Sequence, residues 1–316
     1  MGGSGDWNTT TNWSTGALPA SSDDVVVSST NTSITVTHSS GVHTVQSLMS
    51  QRAFQLTGGS LTVSNTVQVN NPLTLAGATL VRATVLQGTN GATFAVNGSS
   101  VLDGVTVNGV LDVGKTYASA VLTVTNGLVL AGTALVGNPT NNWYGGIRFL
   151  GSQTLSGNGT VVFGTDSYNG YGMNGRKALW LANGGTTLTI GSGITVRGQN
   201  GYIGAYTSAP FYSPANMAVI NLGTISADVS GGIITIVAQP FLNQGWVQSP
   251  AGTLNLAGTI SGGGLGNLQS GNGPLLLTGV LTNGGQMVVL SGLTNMVTLQ
   301  GGRLWAGRLW RLTGPH

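Results

Sequence analysis

A chain of 316 residues with 5% charged side chains, no Glu and no Cys cannot draw its stability from ion pairs, disulfides or thiolate metal sites. The formal charge of +3 comes from ten scattered Lys and Arg against seven acids, which excludes the clustered positive patch a nucleic-acid surface needs. A hydrophobic content of 40% excludes disorder, and the absence of any apolar run of about 20 residues excludes a membrane-spanning helix.

The chain opens on Gly5-Asp6-Trp7, Asn12-Trp13-Ser14, Pro19 and Asp23-Asp24-Val25. Two Trp in polar, turn-rich surroundings need an apolar surface to lie on. The open end of a β stack provides one, and an uncovered end invites edge pairing. Residues 1–27 are therefore expected to form an N-terminal cap, with Trp7 and Trp13 over the first layer. A Trp-based sugar platform is the alternative. Asp23 and Asp24 supply too few oxygens for calcium and are expected to cap a loop. His38 and His43 have no third ligand nearby in sequence and read as exposed turn residues.

From residue 25 onwards short runs of strand formers alternate with Gly, Asn and Ser, as in Leu61–Val63, Val67–Val69, Val105–Val107 and Val110–Val113. Helical periodicity is missing. Asn108-Gly109 alone suits a hairpin turn between Val105–Val107 and Val110–Val113. The rival is a parallel stack in which each strand pairs with its counterpart one coil later. Recurrence favours the stack. Val107-Asn108-Gly109-Val110-Leu111 returns as Thr125-Asn126-Gly127-Leu128-Val129, at a drifting period of roughly 18–25 residues. Later, Val219–Ile225 matches Pro240–Val247 in its apolar-Asn-x-Gly order. Asn side chains at matching corners are expected to bond to their equivalents one layer away.

Residues 138–216 interrupt this texture with aromatic, polar segments expected to leave successive coils as long loops. Here lie Trp143, Tyr144, Asp166, Tyr168, Tyr171, Tyr202, Tyr206 and Tyr212. Aromatic faces stack on sugar rings and neighbouring amides read hydroxyls, so these eight residues are the candidate glycan-binding set. The bland alternative is that the rings pack the loops onto the flank of the stack.

The expected fold is thus all-β: a single-stranded right-handed parallel β-helix, or β-solenoid, with an N-terminal cap and long aromatic loops in the middle. One domain spans 1–316, with the cap at 1–27, coils at 28–300, insertions at about 138–216, and a C-terminal cap or truncated coil at 301–316.

The cap and the Asn-x-Gly phrases, such as Leu242–Val247, resemble the β-helix regions of large bacterial surface proteins, namely autotransporter passengers and filamentous-haemagglutinin-like adhesins. The resemblance covers nearly the whole chain, but its motifs carry little information about activity. It implies an exported structural or adhesive segment, outside the cell or on the bacterial outer surface. It also implies that the segment belongs to a larger polypeptide. Two features of such proteins are not legible, a secretion signal and a C-terminal membrane barrel. Extracellular polysaccharide or a host or neighbouring cell surface is the expected partner, without nucleic acid or membrane insertion by this segment.

Pectin-degrading β-helix enzymes make a polysaccharide lyase or glycoside hydrolase the enzymatic alternative. Glycoside cleavage needs two carboxylates facing one bond. The acids are Asp6, Asp23, Asp24, Asp103, Asp112, Asp166 and Asp228, without a dense Asp/His/Arg constellation. Asp103 and Asp112 read as turn or solvent-face residues, and Asp166 as structural or as a calcium or sugar contact. No catalytic residue, metal or cofactor is assigned. Thr-x-Thr at Thr35–Thr37, Thr123–Thr125 and Thr187–Thr189 is too irregular for an ice-binding array.

Overall fold

The computed structural model describes residues 4–165, 177–205, 213–283, 288–289, 297–305 and 309–310. It is a parallel β-helix. Ala53–Leu56, Ser60–Val63 and Thr66–Val69 form the three faces of one coil, and Leu73–Leu75, Thr79–Val81 and Thr84–Leu86 form the next. Each strand pairs in parallel with its counterpart one coil on, in register Phe54 to Leu73, Leu61 to Leu80 and Val67 to Val85. Stacking of the first face gives a 12-stranded sheet, and the second and third faces join around a shallow corner into a 23-stranded one. At the usual spacing of about 4.8 Å, a dozen layers make a rod on the order of 55 Å long.

Alternation sorts the side chains. Four-residue strands such as Ser60–Val63 and Thr66–Val69 bury every second residue and leave the others partly exposed. On the second face Leu122, Ile147, Leu179, Ile203, Ile236, Leu256 and Leu277 stand one above the other in the lumen. All are buried. Each such aliphatic side chain contributes about 1.5–3 kcal/mol by leaving water, and unbroken contact along the axis makes one continuous core.

Asn108-Gly109 is not a hairpin turn. Val105–Val107 pairs with Leu128–Leu130, and Val110–Val113 pairs with Thr133–Val136, each one coil away. Gly109 instead occupies a corner where coils touch. A Cβ on Gly132, the equivalent corner of the next coil, would lie 2.0 Å from the Gly109 carbonyl oxygen. Corner glycine here reflects close approach of backbones rather than turn chirality.

The expected Asn ladder is present. Asn221 and Asn243 are in register and buried, and the Asn221 amide donates to Asn243 Oδ1 at 2.8 Å. Asn243 in turn donates to the carbonyls of Leu265 (2.8 Å) and Asn267 (3.1 Å), which ties the corner of the following coil.

At the N-terminal end Gly5–Asp6 extends the first face by pairing with Val36 and Thr37. Trp7 is fully buried against Phe54, His38, His43 and Trp13, and the Trp13 indole donates to the Trp7 carbonyl at 2.8 Å. The two histidines are not exposed turn residues. His38 is fully buried, with Nδ1 3.0 Å from the Gly58 carbonyl and Nε2 2.9 Å from His43 Nδ1. Sequence spacing placed them around a turn, but the strand alternation of Thr35–His38 points His38 inward. At the other end Arg303–Trp305 and Leu309–Trp310 pair with Val280–Thr282 and Val288–Val289.

Candidate functional site

The corner between the first and second faces carries loops in successive coils. Residues 114–119 connect Val110–Val113 to Ala120–Leu130, and residues 137–144 make the same connection one coil later. Both loops are held by side chains at their roots. Asp112 is buried, and its carboxylate accepts from Lys115 N (2.7 Å), Thr116 N (3.0 Å) and Thr116 Oγ1 (2.6 Å). It holds a turn as expected, but it is not on the solvent face. Asn138 accepts from Thr140 N (2.8 Å) and donates to the Lys115 carbonyl (2.9 Å), so it joins one loop to the other. The Trp143 carbonyl accepts from Asn138 N, which fixes Trp143 and Tyr144 at the entry to Gly145–Phe149.

Beside these loops the outward side of the second face becomes an aromatic strip. Val121, Gly146, Ala178 and Tyr202 lie in one row across the coils, and Thr123, Arg148, Trp180 and Gly204 in the adjacent row. Ala178 and Trp180 form a second apolar cluster, separate from the lumen, with Val121, Tyr144 and Tyr202 packed against it. Trp180 points away from the lumen yet is only 3% exposed. Lys177–Leu181 is therefore buried on both sides, unlike alternating strands such as Ser60–Val63. Arg148 donates from Nε (3.2 Å) and a terminal nitrogen (2.8 Å) to Thr123 Oγ1 along its row.

Of the eight candidates, Tyr144 and Tyr202 share the satellite cluster, and Trp143 stands nearby in the chain, 41% exposed. Asp166, Tyr168, Tyr171, Tyr206 and Tyr212 lie outside the described residues. The sequence reading left Trp180 out of the candidate set. Its signal was available: in Lys177-Ala178-Leu179-Trp180-Leu181 the outward positions are apolar, so a flat strand with two buried sides was legible. Lys177 was also missed. It faces inward, is 1% exposed, and its methylenes fill the space under Gly137, where a Cβ would lie 2.6 Å from its Cε.

The described carboxylates are spread over the rod and each holds neighbouring structure. Asp103, on the second face, accepts from Asn126 Nδ2 at 2.5 Å, whereas Asp112 is on the first face, so they form no facing pair. Asp228 pairs with Arg197 at 2.5 Å and accepts from Gly198 N. Asp6 accepts from Asn8 N (2.8 Å). Partial burial pulls its pKa up, but hydrogen bonds from Ser39 and Asn8 outweigh that and hold it below the ordinary value. Asp23 accepts from Ala20 N (2.8 Å) and Asp24 from Ser47 Oγ (2.5 Å). Among the described residues no three His, Asp or Glu side chains group to hold a metal ion. No described helix is long and apolar enough to cross a membrane.

No protein-family model, no curated protein and no solved structure matches this chain.

Proposed function

We propose that this β-helix is a structural and adhesive rod of an exported bacterial surface protein, of the kind its sequence resembles in autotransporter passengers and filamentous-haemagglutinin-like adhesins. The observation that carries the reading is the use of the acids. Each described Asp accepts a hydrogen bond from a turn, a loop or a neighbouring coil. The rod sets loops at one corner, and contact with a polysaccharide or a cell surface takes place there.

The test is incubation of the full chain with a panel of pectic and other plant and bacterial polysaccharides, read as new reducing ends or unsaturated products. No turnover is expected, alongside adhesion to a polysaccharide or cell surface. Turnover that disappears in Asp166→Ala would overturn the reading in favour of a polysaccharide lyase or glycoside hydrolase.

A second reading, a glycan-binding module, is supported by the partly exposed aromatic positions Trp143, Tyr144 and Tyr202 beside the loop-bearing corner. A glycan array separates the two. Signals lost in Trp143→Ala, Tyr144→Ala and Tyr202→Ala favour this module. Adhesion unchanged in those variants favours contact through the polar side chains of the loops.

A further inference from the structure

At the N-terminal end a cleft of about 340 Å³ opens between the Trp13 turn and the first strand of the third face. Its lining includes Trp13, Ser14, Thr15, Pro19, Asp23 and Asp24. The volume lies at the low end of the range of small-molecule sites, about 300–1,000 Å³.

The chemistry of the walls narrows what fits. The Trp13 indole is fixed edge-on to Trp7 with ring centres 4.9 Å apart, and its one polar hydrogen is taken by the Trp7 carbonyl. It therefore presents only carbon surface to a ligand, on a ring whose orientation is already set. The acids offer acceptors. Asp24 engages Oδ1 with Ser47, and Asp23 engages Oδ2 with the Ala20 amide; among the described residues none donates to the second oxygen of either. No Lys or Arg lines the cleft: Arg52, the first in the sequence, is turned to the Ser29 carbonyl beyond the end of this strand, and His38 and His43 are packed against Trp7. An anionic ligand meets unbalanced negative charge. A ligand with one flat apolar face and several O–H or N–H donors meets a complementary wall on each side.

We propose that this cleft is a subsite for a non-acidic pyranose, stacked on Trp13 and donating to Asp23 and Asp24. An ammonium-bearing amino sugar binds more tightly than a neutral one. The proposal is independent of the function of the loop-bearing corner, since the two sites share no residue.

The experiment follows the indole N–H signals of the full chain by NMR, with that of Trp13 assigned by its loss in Trp13→Phe. A glucosamine trisaccharide, cellotriose and trigalacturonate are titrated in turn. The Trp13 signal is expected to move with the first two and not with the third. The amino sugar is expected to bind roughly fivefold more tightly than cellotriose, the upper end for one exposed ion pair. Asp24→Asn keeps the contact with Ser47 but replaces the free acceptor oxygen by a donor, so it should abolish that preference and weaken cellotriose as well. An unmoved Trp13 signal with all three sugars, or equal binding of trigalacturonate, would overturn the proposal. An amino-sugar preference that survives Asp24→Asn, alone or together with Asp23→Asn, would overturn the role given to the acids.

Discussion

His38 Nε2 and His43 Nδ1 face each other at 2.9 Å beneath Trp7, and this geometry limits how many protons the pair can hold. The Gly58 carbonyl only accepts, so His38 Nδ1 carries a hydrogen and the neutral ring accepts from His43 through Nε2. One added proton fits, on either ring. A second would set two N–H groups against each other. The titratable groups facing His38 are His43 and Asp6.

Acid should therefore loosen the N-terminal end first. Burial, then the neighbouring His43, holds the His38 pKa below its ordinary 6.5, although the Gly58 carbonyl and Asp6 pull the other way. The unfolded chain then binds more protons than the folded one as pH falls below 6.5, so stability is full above that value and declines beneath it. Asp6, with its lowered pKa, adds a further loss only below its ordinary 3.8. Amide protection at residues 5–7 and 35–43, taken relative to the intrinsic exchange rate at each pH, should fall between pH 7 and 5 while the central coils stay protected. Uniform protection across that interval would contradict the assignment.

Breaking the Asn ladder should cost more than a surface change. Asn243→Ala removes the acceptor of Asn221 and leaves the Leu265 and Asn267 carbonyls without their donor. A loss of about 1–3 kcal/mol is expected, measured by denaturant titration with exchange at residues 219–247 as the local probe. Gln244→Ala, one residue along and exposed, should change stability by no more than about 0.5 kcal/mol.

The aromatic strip separates packing from contact. Trp180→Ala should lower local stability by about 3–5 kcal/mol, as for a large buried aromatic. Trp143→Ala, at a side chain 41% exposed, should leave the melting transition nearly unchanged. A pair of equal effects would mean that the two rings do not differ in burial as described.

Corner glycines supply a steric test. Gly132→Ala places a methyl 2.0 Å from the Gly109 carbonyl oxygen, so the coils must part, at a cost of about 1–3 kcal/mol. Gly263→Ala, with open space around the new methyl, should be close to neutral. Thermal denaturation of both variants distinguishes coil contact from a general intolerance of side chains in turns.

What could be read from the chain, and what could not, follows from the range of the interactions. Strand alternation and recurring Asn-x-Gly phrases are local, so the parallel stack and the Asn221–Asn243 pair were legible. Asn108-Gly109 is locally indistinguishable from a hairpin turn, and only its echoes one coil later exclude one. His38, expected at the surface, and Asp112, expected at a turn or on the solvent face, are both buried, because a polar residue in a short strand gives no sign of which side it faces. Its partners, Gly58 and His43 in one case and Lys115 and Thr116 in the other, decide that. The apolar outward positions of Lys177–Leu181 mark a strand buried on both sides, but the neighbours that cover Trp180 come from rows that join four coils.

The ladder hydrogen bonds run along the rod, each joining a strand only to its counterpart in the coil before and after. Force applied between the two ends passes in series through every layer, but only a terminal coil has a free edge from which its bonds can open one after another. The molecule resists bending through its continuous lumen but unwinds under traction in steps of one coil. A stepwise extension of this kind lets a rod lengthen under shear and rewind when the force is removed.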